Sequence, residues 1–144
     1  MTKRKPLKDR FKEKVSIVTG GASGIGCATV EDLCKEGAAV AYTGSSDIGC
    51  SAERFLTDQG HNVLFCRGDI AEEEFCRSLV DQTVTRCGKT NYLINNAFSF
   101  TAKALYATRE GWERVMQVGP MAYALMAQIV VPWMRQGGGG TAHE

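Results

Sequence analysis

Thr19-Gly20-Gly21-Ala22-Ser23-Gly24-Ile25-Gly26 is the stretch on which the reading of this chain turns. Immediately before it, Val15-Ser16-Ile17-Val18 is a short apolar run of the kind that forms a buried parallel strand. Immediately after it, Cys27, Val30, Leu33 and Cys34 recur at i, i+3, i+6 and i+7, which predicts a helix from Cys27 to Glu36 with one apolar face. A strand, a glycine-rich turn and a helix in that order form the anion site of a dinucleotide-binding fold. Gly20 permits the tight turn, Gly24 lets backbone approach a pyrophosphate, and Gly26 lets the helix lie close to the strand. The free N–H groups of the first helical turn and the positive end of the helix dipole then face the phosphates, with Ser23 and Ile25 beside them.

Further along the chain the same alternation continues. Ala38 to Thr43 reads as a second strand, Ser51 to Gln59 as a helix, and Val63 to Cys66 as a third strand. Glu72-Glu73-Glu74 places acid in the first turn of the next helix, whose stripe includes Phe75, Cys76, Leu79, Val80 and Val84. Tyr92 to Asn95 reads as a fourth strand, and an apolar helix follows from about Trp112 to Met134, with Gly119-Pro120 as a site for a kink. Strands alternating with helices predict a Rossmann-like α/β fold, the first half of a doubly wound parallel sheet in the order 3-2-1-4, with its crevice between strands 1 and 4. The expected organisation is a basic, solvated lead-in at 1–13, one incomplete nucleotide-binding domain at 14–136 and a glycine-rich tail at 137–144. No strand is expected to cover the outer edge of strand 4.

The composition excludes several classes. A chain of 144 residues with 44% apolar and 23% charged residues suits one ordinary globular domain. The net charge of +1 gives no general attraction to nucleic acid or to a membrane surface. Seven Lys and Arg against Asp9 and Glu13 make residues 1–14 net +5, which leaves the rest of the +1 chain at −4. The apolar run before the glycine turn is too short for a signal sequence, and Gly119, Pro120, Gln128 and Pro132 interrupt the later one, so a buried helix is expected there. Six cysteines with no C-x-x-C pair read as reduced core thiols of a cytoplasmic protein, with no metal site.

The spacing Thr-Gly-x-x-x-Gly-Ile-Gly resembles the cofactor loop of the short-chain dehydrogenase/reductase family, and the likeness extends over roughly residues 12–136. Gly68-Asp69-Ile70 is similar to the family's acidic stretch after strand 3, which implies that Asp69 accepts a hydrogen bond from the adenine amino group. Asn95-Asn96-Ala97 resembles the family's Asn-Asn-Ala-Gly, which implies that one Asn braces the sheet and that the backbone after it meets the adenosine ribose. Phe98 stands where the family has glycine. Trp112 to Val118 resembles the start of the family's long helix, in which a subunit interface is also implied. The end of strand 2 reads the ribose 2′ substituent in such folds. Ser45 and Ser46 stand there with neither an acid nor a base, which favours NADP over NAD.

The resemblance implies a Tyr-x-x-x-Lys acid/base pair and an Asn in the long helix. None of the four tyrosines here has Lys four residues on, and Gly119 stands at the position of the Asn. Two functions therefore remain open. One is an NAD(P)-dependent oxidoreductase transferring hydride to or from a carbonyl or alcohol, present as a truncated chain. The other is a non-catalytic nucleotide-binding protein or a decayed relative. The candidate cofactor contacts are Gly20, Ser23, Gly24, Ile25, Gly26, Ser45, Ser46, Asp69, Ile70, Asn96 and Ala97. The 112–134 helix, apolar nearly all round, and the uncovered edge of strand 4 lead to an expectation of self-association.

Overall fold

Val15–Val18 (β1) is buried at all four positions, and its alternating side chains divide the core. Ile17 belongs to one apolar cluster and Val18 to the other, because successive residues of a strand face opposite sides of the sheet. The computed structural model describes residues 5–101 and 104–143. Its order is β1, α1 (Gly24–Lys35), β2 (Ala39–Gly44), α2 (Ile48–Asp58), β3 (Val63–Arg67), α3 (Glu73–Cys87), β4 (Tyr92–Ile94), α4 (Arg109–Met116), a wider π turn at Gln117–Met121, α5 (Ala122–Gln136) and β5 (Thr141–His143). The five strands lie in the order β3-β2-β1-β4-β5, every neighbouring pair parallel. On one face Val30 and Cys34 of α1 and Leu56 of α2 pack against Val18, Val40 and Tyr42. On the other, Cys76, Leu79 and Val80 of α3 and Met126, Val130 and Met134 of α5 pack against Ile17, Ala41 and Leu93. This is the doubly wound arrangement that the alternating sequence pattern predicts.

Two expectations are corrected. The outer edge of β4 is covered, because Tyr92, Leu93 and Ile94 pair with 141, 142 and 143. The glycine run is thus a turn, with Gly138 and Gly139 at φ of 90° and 96°, and it delivers the chain back to the sheet. The unpaired N–H and C=O groups along β4 supply the partner that the weak strand signal of Thr-Ala-His does not advertise. The lead-in also differs from a solvated tail. Glu36, only 3% exposed, forms an ion pair with Arg10, while its Oε1 accepts from Leu7 N at 3.0 Å and its backbone carbonyl accepts from Phe11 N at 2.8 Å. Phe11 then sets its ring edge-on to Tyr92 at 5.6 Å. A buried carboxylate needs such partners, and the segment before β1 supplies them. The basic residues Lys3 and Arg4 lie outside the described residues.

The Arg109–Gln136 run is long and apolar enough to cross a membrane by length and composition alone. In this fold one stripe of it, Val115, Val118, Ala122, Met126, Val130 and Met134, is buried. Burial all round, expected from its composition, does not occur, since Trp112, Met116 and Met121 are about half exposed or more. The kink falls at Gly119, whose φ of −89° and ψ of −105° are non-helical, beside Pro120. The six cysteines are free thiols, and burial pushes Cys34 up to about 12 and Cys66 and Cys76 up to about 11. Protonated and enclosed, these three are inert core residues.

Candidate nucleotide site

Thr19 and Asn96 build the floor of the site. The Thr19 hydroxyl accepts from the backbone N–H groups of Asn96 at 3.0 Å and Ala97 at 3.1 Å. In return Asn96 Nδ2 donates to the carbonyls of Thr19 and Gly20, each at 3.1 Å. Gly20 N donates to Thr43 Oγ1 at 3.1 Å, which ties the same turn to β2. The ends of β1, β2 and β4 are therefore cross-linked at the point where the strand order reverses, the place at which open α/β sheets bind ligands. Asn95 Nδ2 donates to the Tyr123 carbonyl of α5 at 3.3 Å, which ties the end of β4 to that helix.

Above this floor is a cleft of about 700 Å³. Every residue singled out from the sequence lines it: Gly20, Ser23, Gly24, Ile25, Gly26, Ser45, Ser46, Asp69, Ile70, Asn96 and Ala97. Gly20 turns at φ 65° and Gly24 at φ 55°. A Cβ on Gly24 would meet nothing within 4 Å, so that backbone faces open cleft and a ligand can approach it closely. Ser23 stands at the N-cap of α1 in extended conformation, makes no side-chain cap, and is followed by a first turn free of acid. The N–H groups at that end are left for an anion. These features fit a dinucleotide pyrophosphate, and the helix begins at Gly24 instead of Cys27.

The structure adds residues that sequence reasoning did not find. Arg114 lines the cleft and clasps Asp69 with two bonds, Nη1 to Oδ2 at 2.8 Å and Nη2 to Oδ1 at 2.9 Å. Asp69 Oδ1 also accepts from Ala71 N at 3.0 Å. The Arg114 bond, helped by that backbone bond and opposed by partial burial, holds the Asp69 carboxyl below the usual carboxylate range. Phe98, half exposed, lines the cleft with Phe100, their ring centroids 5.0 Å apart edge-on. Where a glycine is expected from the resemblance, Phe98 avoids strain, because Asp9 and Glu13 are the non-glycine residues with positive φ among those described. A Cβ on Gly119 would sit 3.5 Å from the Phe98 ring, so the ring occupies the space beside the kink.

Arg114→Met is expected to raise the Asp69 pKa toward its ordinary value, as followed by NMR titration of the side-chain carboxyl carbon. The sign follows from the lowered native pKa. The pair's stabilisation is complete above the unfolded-state pKa and is lost as pH falls through the lower native one. Both carboxylate and guanidinium are more than a third exposed, so the effect on stability is small. A titration curve unchanged by the substitution would count against the clasp.

The short chain dehydrogenase family model matches residues 14–142, and the chain belongs to that family. A cis-4-hydroxycyclohexanecarboxylate dehydrogenase of Sinomonas cyclohexanicum is 32% identical over 134 residues, covering 92% of this chain and 54% of that protein. Among solved structures, a hydroxysteroid dehydrogenase from Escherichia coli superposes with a TM-score of 0.86 at 26% identity, over 92% of this chain and 57% of that one. A 7α-hydroxysteroid dehydrogenase in complex with NADH and 7-oxo glycochenodeoxycholic acid gives the same TM-score of 0.86 at 26% identity, over 92% and 52% of the respective chains. The chain spans about half the length of these relatives.

Proposed function

We propose that this chain is the dinucleotide-binding part of an NAD(P)-dependent oxidoreductase that moves hydride between nicotinamide and a carbonyl or alcohol. One observation carries the reading: the glycine turn, the ends of β2, β3 and β4 and the start of α1 converge on one cleft whose backbone is open at Gly24. Bound there, the cofactor supplies hydride chemistry. The chain's own residues orient it: the N–H groups after Ser23 and Gly24 face the pyrophosphate, Asp69 and Ile70 border the adenine, and the backbone at Asn96 and Ala97 meets the ribose. Ser45 and Ser46 offer hydroxyls without negative charge at the end of β2, which supports NADP over NAD. Six free thiols support a cytoplasmic setting, and the net charge of +1 supports no role in nucleic-acid or membrane binding.

Calorimetric titration of the 144-residue chain with NADP and with NAD tests the reading. Binding of both, NADP the tighter, is the expected result, and a chain that takes up neither would overturn it. No Tyr-x-x-x-Lys occurs in the sequence, and Gly119 has no side chain to hold a proton-relay water. General acid–base help is worth about 10²–10⁴-fold. Reduction of bound NADP by simple alcohols is therefore expected to stay at background with these residues alone, and turnover above background would contradict that expectation.

Self-association rests on the helix, because β5 removes the open edge of β4 as a cause. Trp112, Met116 and Met121 present apolar surface from α4 and the turn that follows it. Covering these side chains supplies an apolar driving force of about 25 cal/mol per Å², which association must set against its loss of translational and rotational freedom. Sedimentation at micromolar concentration is expected to show a dimer or larger species, and Met116→Glu with Met121→Glu is expected to shift it to monomer. A monomeric boundary for the unmodified chain would sink this expectation.

A further inference from the structure

Phe98, Ser99, Phe100 and Thr101 follow directly on Asn96 and Ala97, and all four line the cleft. The two rings meet edge-on with centroids 5.0 Å apart, Phe98 being 48% and Phe100 84% exposed. Apolar surface of this kind at the mouth of a cleft is favourably covered by a ligand. The strip that carries the rings is held in place. Ser99 Oγ and Thr101 Oγ1 share a hydrogen bond of 3.1 Å, and Thr101 Oγ1 donates to the Gly111 carbonyl of α4 at 3.3 Å. Directly before Phe98, the Ala97 carbonyl accepts from Tyr123 OH at 2.8 Å. The helix kink makes room for the first ring. A Cβ on Gly119 would already lie 3.5 Å from it, so a longer side chain there would compete for the ring's space.

We propose that Phe98 and Phe100 form a substrate wall that takes an uncharged carbonyl or alcohol carried on an apolar ring. The proposal rests on the dinucleotide reading above and names the substrate class of that site. The strand order gives the wall its place. In that reading the adenosine half lies toward the ends of β2 and β3, and the pyrophosphate lies at Gly24, beyond β1. The segment after β4 stands on the other side of β1, so the far half of the dinucleotide and its reaction partner are directed toward residues 98–101. Rings pack on a phenyl group offset or edge-on, with centroids about 4.5–7 Å apart. Two phenyl groups set edge-on to each other offer such a ring both a face and an edge. A polyhydroxylated ring is poorly served. The Ser99 and Thr101 hydroxyls are engaged with each other and with Gly111, and a substrate hydroxyl that loses water without gaining a partner is penalised. A charged substrate fares no better, because Arg114 and Asp69 are the charged residues that line the cleft and they neutralise each other.

The test is an NMR titration of the NADP-loaded chain with acetophenone, and with glucose as a hydroxylated ring of similar size. Acetophenone is expected to bind with a Kd of about 1 mM, shifting the amide signals of residues 98–101, while glucose shifts none of them. Phe98→Ala is expected to weaken acetophenone about tenfold, and Phe98→Leu to restore part of that loss, as an apolar side chain without a ring face. Phe100→Ala is expected to weaken it about threefold. With Phe100 so exposed, that variant disturbs no packed neighbourhood and carries the test even if Phe98→Ala fails to fold. Glucose binding as tightly as acetophenone, shifts confined to other parts of the chain, or an affinity unchanged by the alanine variants overturns this proposal while the dinucleotide site stands. A chain that does not take up NADP overturns both.

Discussion

Gly26→Ala is expected to lower the stability of the chain by about 3 kcal/mol, even though alanine is the better helix former. In the interior of α1 the exchange of glycine for alanine favours the helix by about 1 kcal/mol. Against that, the added Cβ would lie 2.2 Å from the Gly20 carbonyl oxygen and 2.5 Å from Asn96 Nδ2. The first of those atoms is backbone and cannot rotate away. Relief therefore requires α1 to lift from β1, which loosens the buried Val30 from Val18 and Val40, and forcing an extra carbon into so tight a contact costs about 1–3 kcal/mol. It also pulls Asn96 Nδ2 away from the carbonyls of Thr19 and Gly20. Each of those hydrogen bonds contributes about 1 kcal/mol net. The costs outweigh the gain in helix propensity. Urea unfolding followed by circular dichroism reads the result directly, and a midpoint equal to or above that of the unmodified chain would show that the helix does not depend on this close approach.

Gly24→Val, two residues earlier, is expected to do the reverse: spare most of the stability and abolish nucleotide binding. Nothing lies within 4 Å of the position a Cβ would take, so no packed neighbour resists the new side chain. The cost is conformational, since φ is 55° and a branched residue there is strained by about 1–2 kcal/mol. The side chain then fills the space through which a pyrophosphate must approach the backbone. Losing that approach removes several charge-assisted bonds to N–H groups at once, so a loss of affinity of about 100-fold or more is expected. Calorimetry with NADP measures it, alongside urea unfolding to establish that the variant is folded. Equal affinity before and after the change would mean that the phosphates lie elsewhere. Together the two variants would separate the roles of one loop, with Gly26 tested for the fold and Gly24 for the proposed path of the ligand.

Most of the site was legible because its residues are adjacent in sequence to the strand ends that carry them. The glycine turn, Asp69 and Asn96-Ala97 each follow directly on a buried apolar run, so locating β1, β3 and β4 also located them. Ser45 and Ser46 followed in the same way from β2. What sequence reasoning missed depends on pairs that only folding brings together. Arg114 lies 45 residues from Asp69. It stands in no pattern that marks it as anything but a solvated charge. Phe98 beside Gly119 is a second case, where two departures from the family pattern prove to be neighbours in space.

The sequence by itself determined the class of fold, the strand order of its first half and which strand ends meet at the candidate cleft. It could do so because apolar periodicity and glycine placement act within a few residues along the chain. Only the tertiary structure decided the ends and the edges. Thr141–His143 became a strand because β4 had an open edge to pair with, not because of any propensity of its own. The segment before β1 is docked because Glu36 is buried and needs Arg10 and the N–H of Leu7 as partners. The long helix exposes Trp112, Met116 and Met121 because a sheet covers one side of a helix, and the pattern of apolar residues cannot say which side has no partner.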